Sequence, residues 1–278
     1  MIFALPRHGH GAVSPAETRG EYLFHVAGCA GCHTSVEPKG ELLSGGRRLD
    51  TPFGAFYPPN ITPDPQYGIG GWSYEDFSRA MLEGKGPDGI IYFPAFPYPS
   101  YTGMAEADLR DLWAFLKTVP VVAEAAPGHD LNFPFNIRAL VWPWRWLYFE
   151  AGEKPVDTTR SAQWNRGAYL VRAVSHCGEC HTPRNFLGGS DNERELAGNP
   201  NGPDGKRIPD ITPDPENGIG AWSTGDIKSY LEMGILPDGD FAGGAMVEVI
   251  ENSTSKMTPE DREAVAIFLK SLPASGSL

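Results

Sequence analysis

No run of apolar residues in this chain approaches the ~20 that a helix needs to cross a bilayer, so no transmembrane segment is expected. Nor is any stretch basic enough to track a nucleic-acid backbone. Asp and Glu number 35 against 23 Lys and Arg, and the net charge of -12 sets up a field that repels phosphate. The acidity has two readings, a surface that draws a basic protein partner or charge that serves solubility. The opening run, MIFALPRHGHG, is too short to be the hydrophobic region of a signal peptide. Strand signals are few. What the chain has in excess is Gly (33) and Pro (26), which predict long, turn-rich loops. Its 278 residues suit two domains of ordinary size, and 41% hydrophobic residues suffice for their cores.

Cysteine is scarce, and all four residues fall into two identical units. These are Cys29-Ala-Gly-Cys32-His33 and Cys177-Gly-Glu-Cys180-His181. The C-x-x-C-H pattern is the attachment signature of c-type haem. Two thiols three residues apart on one helical turn can add to the two vinyl groups of one porphyrin. The histidine that follows then faces the iron and supplies its proximal nitrogen. A zinc site built from both cysteine pairs is one rival reading. A pair of thioredoxin-like dithiols is another. Neither explains a histidine directly after each pair. A dithiol motif is also expected at the end of a strand, whereas these pairs follow the helix-like stretches 20–25 and 167–172. Two c-type haems, and hence two irons, are the cofactors expected.

An internal repeat spans the chain. Ile61-Thr-Pro-Asp-Pro-Gln-Tyr-Gly-Ile-Gly-Gly-Trp72-Ser73 recurs at 211–223 as Ile-Thr-Pro-Asp-Pro-Glu-Asn-Gly-Ile-Gly-Ala-Trp-Ser. After each tryptophan comes a helix-like stretch ending in Gly84 or Gly234, then Pro-Asp-Gly at 87–89 and 237–239. Each copy closes with an amphipathic helix, 108–117 and 261–270, stopped before Pro120 or Pro273. The order is attachment helix, long loop, middle helix, ligand loop, closing helix. That layout predicts an all-α fold of two tandem cytochrome c-like domains, each packed around its haem. The boundaries expected are 1–132 and 161–278, with a linker at 133–160. The linker is rich in proline and aromatic residues, with Trp142, Trp144 and Trp146 at its centre. It reads either as a strap packed between the domains or as an aromatic patch that docks a partner subunit or a membrane interface.

The repeat also allows the distal sides to be compared. Met246 lies in the loop before the second closing helix, where a thioether ligand belongs, and His/Met ligation raises the potential of the iron. The corresponding loop of the first copy has Phe96 there, and Met104 follows just before the closing helix. Met104 is the candidate distal ligand of the first iron; His25, Met81 and an open iron are the alternatives. Met104 aligns with Met257, which precedes the N-cap Thr258, so both can also be read as hydrophobic staples. Trp72 and Trp222 could donate to haem propionates or fill the core. Arg47, Arg48 and Arg207 could pair with propionates or stay in solvent.

With these residues in hand, the chain resembles the cytochrome c subunits of bacterial periplasmic dehydrogenases of the alcohol, gluconate and sorbitol type. The resemblance rests on 60–65 (Asn-Ile-Thr-Pro-Asp-Pro), 68–73, 94–98 (Pro-Ala-Phe-Pro-Tyr) and 133–138 (Phe-Pro-Phe-Asn-Ile-Arg). It continues through 164–171 and 176–185 (His-Cys-Gly-Glu-Cys-His-Thr-Pro-Arg-Asn). Many relatives have methionine where Phe96 stands, and the best-known members carry three haems rather than two. The resemblance implies electron transfer, from a partner dehydrogenase to a cytochrome, an oxidase or quinone. On that reading the chain is a subunit of an oxidoreductase complex rather than an enzyme itself. The competing reading is a dihaem enzyme, of thiosulfate dehydrogenase or peroxidase type, using an open first haem; a gas or redox sensor is a third. Haem is attached to cysteine pairs outside the bacterial cytoplasm, so a periplasmic location is expected, with an export signal removed and membrane association only through a partner.

Overall fold

A computed structural model describes residues 14–202 and 205–277. The short apolar start at 1–13 and Leu278, which fall within the expected limits of the two domains, lie outside the described residues. Helix α1 (Pro15–Val26) opens on a capping box in which Ser14 and Glu17 satisfy each other's backbone N–H groups. The short α2 (Cys29–His33) follows, then α3 (Tyr74–Glu83), the single turn α4 (Tyr98–Tyr101) and α5 (Glu106–Leu116). After α6 (Val141–Tyr148) the order repeats as α7 (Ala162–Tyr169), α8 (Gly178–His181), α9 (Thr224–Met233), α10 (Ala245–Asn252) and α11 (Pro259–Lys270). The middle helices α3 and α9 have the same punctuation. Each starts on a Ser-x-x-Asp capping box, Ser73 with Asp76 and Ser223 with Asp226. Each ends on a left-handed glycine, Gly84 or Gly234.

In each half the first helix lies across the closing helix, α1 on α5 and α7 on α11. The crossing is made at a glycine. A Cβ on Gly20 would stand 2.0 Å from the Asp111 carbonyl oxygen, and one on Gly167 would stand 2.0 Å from that of Ala264. Only a residue without a side chain lets the two backbones touch. Around the crossings Leu23, Leu109 and Leu112 of one half and Leu170, Val265 and Phe268 of the other are fully buried in one continuous core.

The halves are clasped by two matching polar knots. Arg19 pairs with Asp108, which also accepts from Tyr169 Oη of the opposite half at 2.7 Å. Arg166 pairs with Asp261 at 2.6 Å, and Asp261 accepts from Tyr22 of the opposite half. The two knots exchange their tyrosines, as a two-fold repeat requires. Each aspartate is also the third residue of its closing helix, where the dipole favours a negative charge.

The expectation of an all-α fold needs one correction. A small antiparallel sheet, in the order β1 (Leu49–Thr51), β2 (Gly54–Phe56), β3 (Asp130–Leu131), covers one edge of the first half. Its strands have two or three residues each, too few for an alternating pattern to show. Gly54, at φ 114°, lets β3 approach to within 2.5 Å of where a Cβ would sit.

The aromatic segment divides its side chains. Arg138 donates to the Ile91 carbonyl and lies over Phe93, while Arg145 donates to the Glu83 carbonyl and lies over Phe149. On the other side Trp144 donates to Leu187 O at 2.9 Å, and Tyr148 packs against Gly189. So the segment is strapped to both halves. Its remaining large side chains stay in solvent: Phe133 is 78% exposed, Trp142 60% and Trp146 83%.

Two outcomes are expected of the packing. Gly167→Ala should lower the stability of the folded chain by about 1–3 kcal/mol or more, because the clash is with backbone and neither helix can yield alone. Thermal melts of Gly167→Ala and Gly20→Ala check this; an unchanged midpoint for both would refute the close crossing. The second outcome concerns acid. Burial alone would raise Asp261, but hydrogen bonds from Arg166 and Tyr22 outweigh it and hold the carboxyl below its usual range. The unfolded chain therefore binds this proton more readily, so the contribution is complete above about pH 5 and is lost as acid carries the chain down through the folded value. Asp261→Asn should cost about 1.5–3 kcal/mol at neutral pH and flatten that acid limb in unfolding titrations.

Candidate functional site

Each C-x-x-C-H unit folds as a short helical turn after the first helix of its half, Cys29–His33 in one and Gly178–His181 capped by Cys177 in the other, where a wider helical turn, Leu170–Val174, comes between. The histidines are held alike. His33 Nδ1 lies 2.8 Å from the Pro59 carbonyl oxygen, and His181 Nδ1 lies 2.8 Å from that of Pro209. A carbonyl only accepts, so Nδ1 carries the proton in both rings and Nε2 keeps its lone pair. That is the tautomer an iron ligand needs, with the oriented second bond that metal-bound histidines make. Burial lowers both imidazole pKa values, against the opposing hydrogen bonds to Pro59 and Pro209, and keeps the rings neutral.

The surrounding loops are pinned the same way twice. Gly45 N donates to His33 O at 2.8 Å, and Gly198 N to His181 O at 2.7 Å. Thr34 Oγ1 accepts from Leu43 N and Thr182 Oγ1 from Leu196 N, at 3.1 and 3.0 Å. Leu43 and Leu196 both take a left-handed conformation, φ 62° and 63°.

The thiols are enclosed yet reachable. Burial pushes Cys29 and Cys177 up to about 12 and Cys180 to about 11, and it raises Cys32 as well. Cys29, Cys177 and Cys180 nevertheless keep part of their surface, and Cys32 is exposed. Thiols held this far into the neutral form are unlike those of dithiol redox motifs, whose pKa is depressed. Among the described residues no group of three or more His, Cys, Asp and Glu converges as a zinc site would require. A planar apolar ring joined by two thioethers and one imidazole fits this chemistry.

The candidate distal residues are placed as follows. Met104 is 1% exposed, ahead of α5, and Met257 occupies the same place ahead of α11. Met104 N bonds to Tyr101 O and Met257 N to Thr254 O, so the two methionines are structural counterparts. Met246 is half-buried in the first turn of α10. Met81 is buried in α3, and His25 packs edge-on against Phe24. Phe96 packs against the core with its ring beside Tyr101, as a wall. Trp72 and Trp222 lie against the core, and among the described residues neither indole N–H has an acceptor. Arg47 binds Glu248 and the Gly31 carbonyl, Arg48 pairs with Asp50, and Arg207 is exposed.

The two turns share one seam. Gly31, inside the first, is held through Arg47 to Glu248 of the second half. Glu179, inside the second, accepts from Ser100 Oγ of the first half at 2.8 Å and pairs with Arg184.

Comparison with known proteins settles the family. A family model described as cytochrome c matches residues 17–120. A diheme cytochrome c-type protein of Cereibacter sphaeroides is 47% identical over 263 residues, 92% of this chain and 86% of that protein. The chain belongs to the cytochrome c family. As a cytochrome c it is a protein of covalently held haem iron and electron transfer. It is also similar to two dehydrogenase subunits. One is the fructose dehydrogenase cytochrome subunit of Gluconobacter japonicus, 40% identical over 94% of this chain and 53% of the relative. The other is the cytochrome c subunit of the quinone alcohol dehydrogenase of Gluconobacter oxydans, 35% identical over 96% of this chain and 57% of the relative. The chain thus spans about half the length of these dehydrogenase subunits. Among the described residues of this cytochrome no helix is long and apolar enough to cross a membrane.

Sequence reading missed the carbonyls of Pro59 and Pro209. A signal was present, since two residues before the repeat both copies carry proline, in Pro-Asn-Ile-Thr and Pro-Asp-Ile-Thr. It also placed the two motifs in separate domains without a hint that they adjoin.

Proposed function

We propose that this cytochrome is a dihaem electron carrier. It takes electrons from a dehydrogenase subunit and passes them to a downstream cytochrome, oxidase or quinone. The observation that carries the reading is the duplication of one site to the atom: cysteine pair, histidine turn, and Nδ1 held 2.8 Å from a proline carbonyl in both halves. In this reading the chain forms two tandem domains, 1–132 and 161–278, joined by 133–160. Cys29, Cys32 and His33 hold one haem, and Cys177, Cys180 and His181 hold the other. Each haem supplies a one-electron iron couple. His33 and His181 would hold the irons on one side, and Met104 and Met246 would supply the thioether ligands on the other. The names of the relatives support a dehydrogenase as donor. We assign the donor's contact to the exposed face of Phe133, Trp142 and Trp146, because tryptophan beside arginine is the composition of interface hot spots. The periplasm is its compartment, where bacterial haem is joined to cysteine pairs. The first distal loop offers Phe96 and tyrosines rather than a charged group for turnover, which favours a carrier over an enzyme.

Haem content per chain and optical spectra test this. Two haems per chain, and a reduced spectrum that carbon monoxide leaves unchanged, are expected. One haem per chain, or reaction of half the absorbance with the gas in the wild type, would overturn the closed dihaem carrier. Met246→Leu should open the second iron to carbon monoxide while Met257→Leu does not; the reverse result would move the ligand to Met257. Trp142→Ser with Trp146→Ser should slow reduction by the donor severalfold without changing haem content.

A further inference from the structure

The residue ahead of the first cysteine is left-handed in both halves, with φ 66° at Gly28 and 42° at His176. Glycine adopts this backbone freely, whereas a histidine there bears a steric cost. The turn therefore explains Gly28 and leaves the choice of His176 unexplained. Its side chain supplies the reason. Nε2 donates to the Ala27 carbonyl of the other half at 3.2 Å. The ring stands edge-on to Tyr101, with centroids 5.3 Å apart and planes at 83°. Tyr101 Oη donates to the same Ala27 carbonyl at 3.3 Å. Ala27 and Tyr101 are buried, and His176 is half-buried beside them. The second half has no such ring: Thr254 holds the position of Tyr101, and Gly28 has no side chain to reach across. Among the described residues, a ring-to-carbonyl contact at this position is therefore made in one direction only.

We propose that His176 is a positioning residue that couples the two haem sites, its hydrogen bond joining the backbone before Cys177 to the backbone before Cys29. The inference rests on the two-haem reading above. The bridge runs from Cys177 through the His176 ring to the Ala27 carbonyl, and on through Gly28 to Cys29. What crosses is one electron, lost by the reduced site and gained by the oxidised one, with no bond made or broken and no proton moved. The rival route is a direct jump across the seam that the two attachment turns share.

The test compares holoprotein with His176→Gly, which relieves the backbone, and His176→Gln, which restores an N–H of similar reach. Haem content is counted first, both midpoint potentials are measured, and pulse radiolysis with less than one electron per chain follows redistribution between the haems. The expected result for His176→Gly is two haems and unchanged potentials, with redistribution slowed severalfold and largely restored in His176→Gln. An unchanged rate in His176→Gly would overturn the bridge in favour of the direct jump. Loss of a haem, or potentials that shift together with the rate, would make His176 a packing residue and equally overturn it. Fewer than two haems in the wild type would instead remove the reading on which the bridge stands.

Discussion

At each helix crossing a glycine stands where a methyl group would strike the backbone of the partner helix, and this contact sets the rest of the structure. Because α1 and α5 touch at Gly20, and α7 and α11 at Gly167, the attachment turn of each half starts at a fixed point. The helix just before it cannot slide. Everything that makes the histidine a usable ligand is measured from that point: the loop that returns to the turn, the proline carbonyl and the threonine hydroxyl behind it.

The two halves are not independent repeats laid end to end. Tyr22 and Tyr169 each finish the aspartate–arginine pair of the opposite half, so the clasp is satisfied only when both halves are folded and docked. Neither aspartate is left buried without a full set of partners, the arrangement that makes a buried charge tolerable. The same docking puts the two attachment turns on one seam, with Arg47–Glu248 at one and Ser100–Glu179 at the other. The docking thereby brings both attachment turns into one frame.

Departures from the repeat carry information that its agreements do not. Where both copies keep a residue, as with Pro59 and Pro209 or Leu43 and Leu196, the backbone demands it. Where they differ, one copy has been given a task. Tyr101 stands opposite Thr254, and His176 opposite Gly28, and both odd residues meet at the Ala27 carbonyl. The aromatic strap belongs to neither copy. Its arginines and Trp144 tie it down, and that rigid attachment holds Trp142 and Trp146 outward despite the cost of exposing them.

The sequence by itself determined the cofactor chemistry, the duplication and the helical frame. Each is written in local signals: C-x-x-C-H spacing, a repeat of thirteen residues from 61 and from 211, capping boxes at Ser73 and Ser223, left-handed glycines at the ends. It placed both closing helices to within two residues of where they begin. It could not show the three-stranded sheet, because strands of two or three residues pair only with partners distant in the chain. Nor could it show that the tyrosines cross between halves or that the two attachment turns adjoin. Those facts depend on how two similar halves dock. Docking is decided by shape and by a few buried polar contacts between residues as far apart as Tyr22 and Asp261, and no local pattern records which surface meets which.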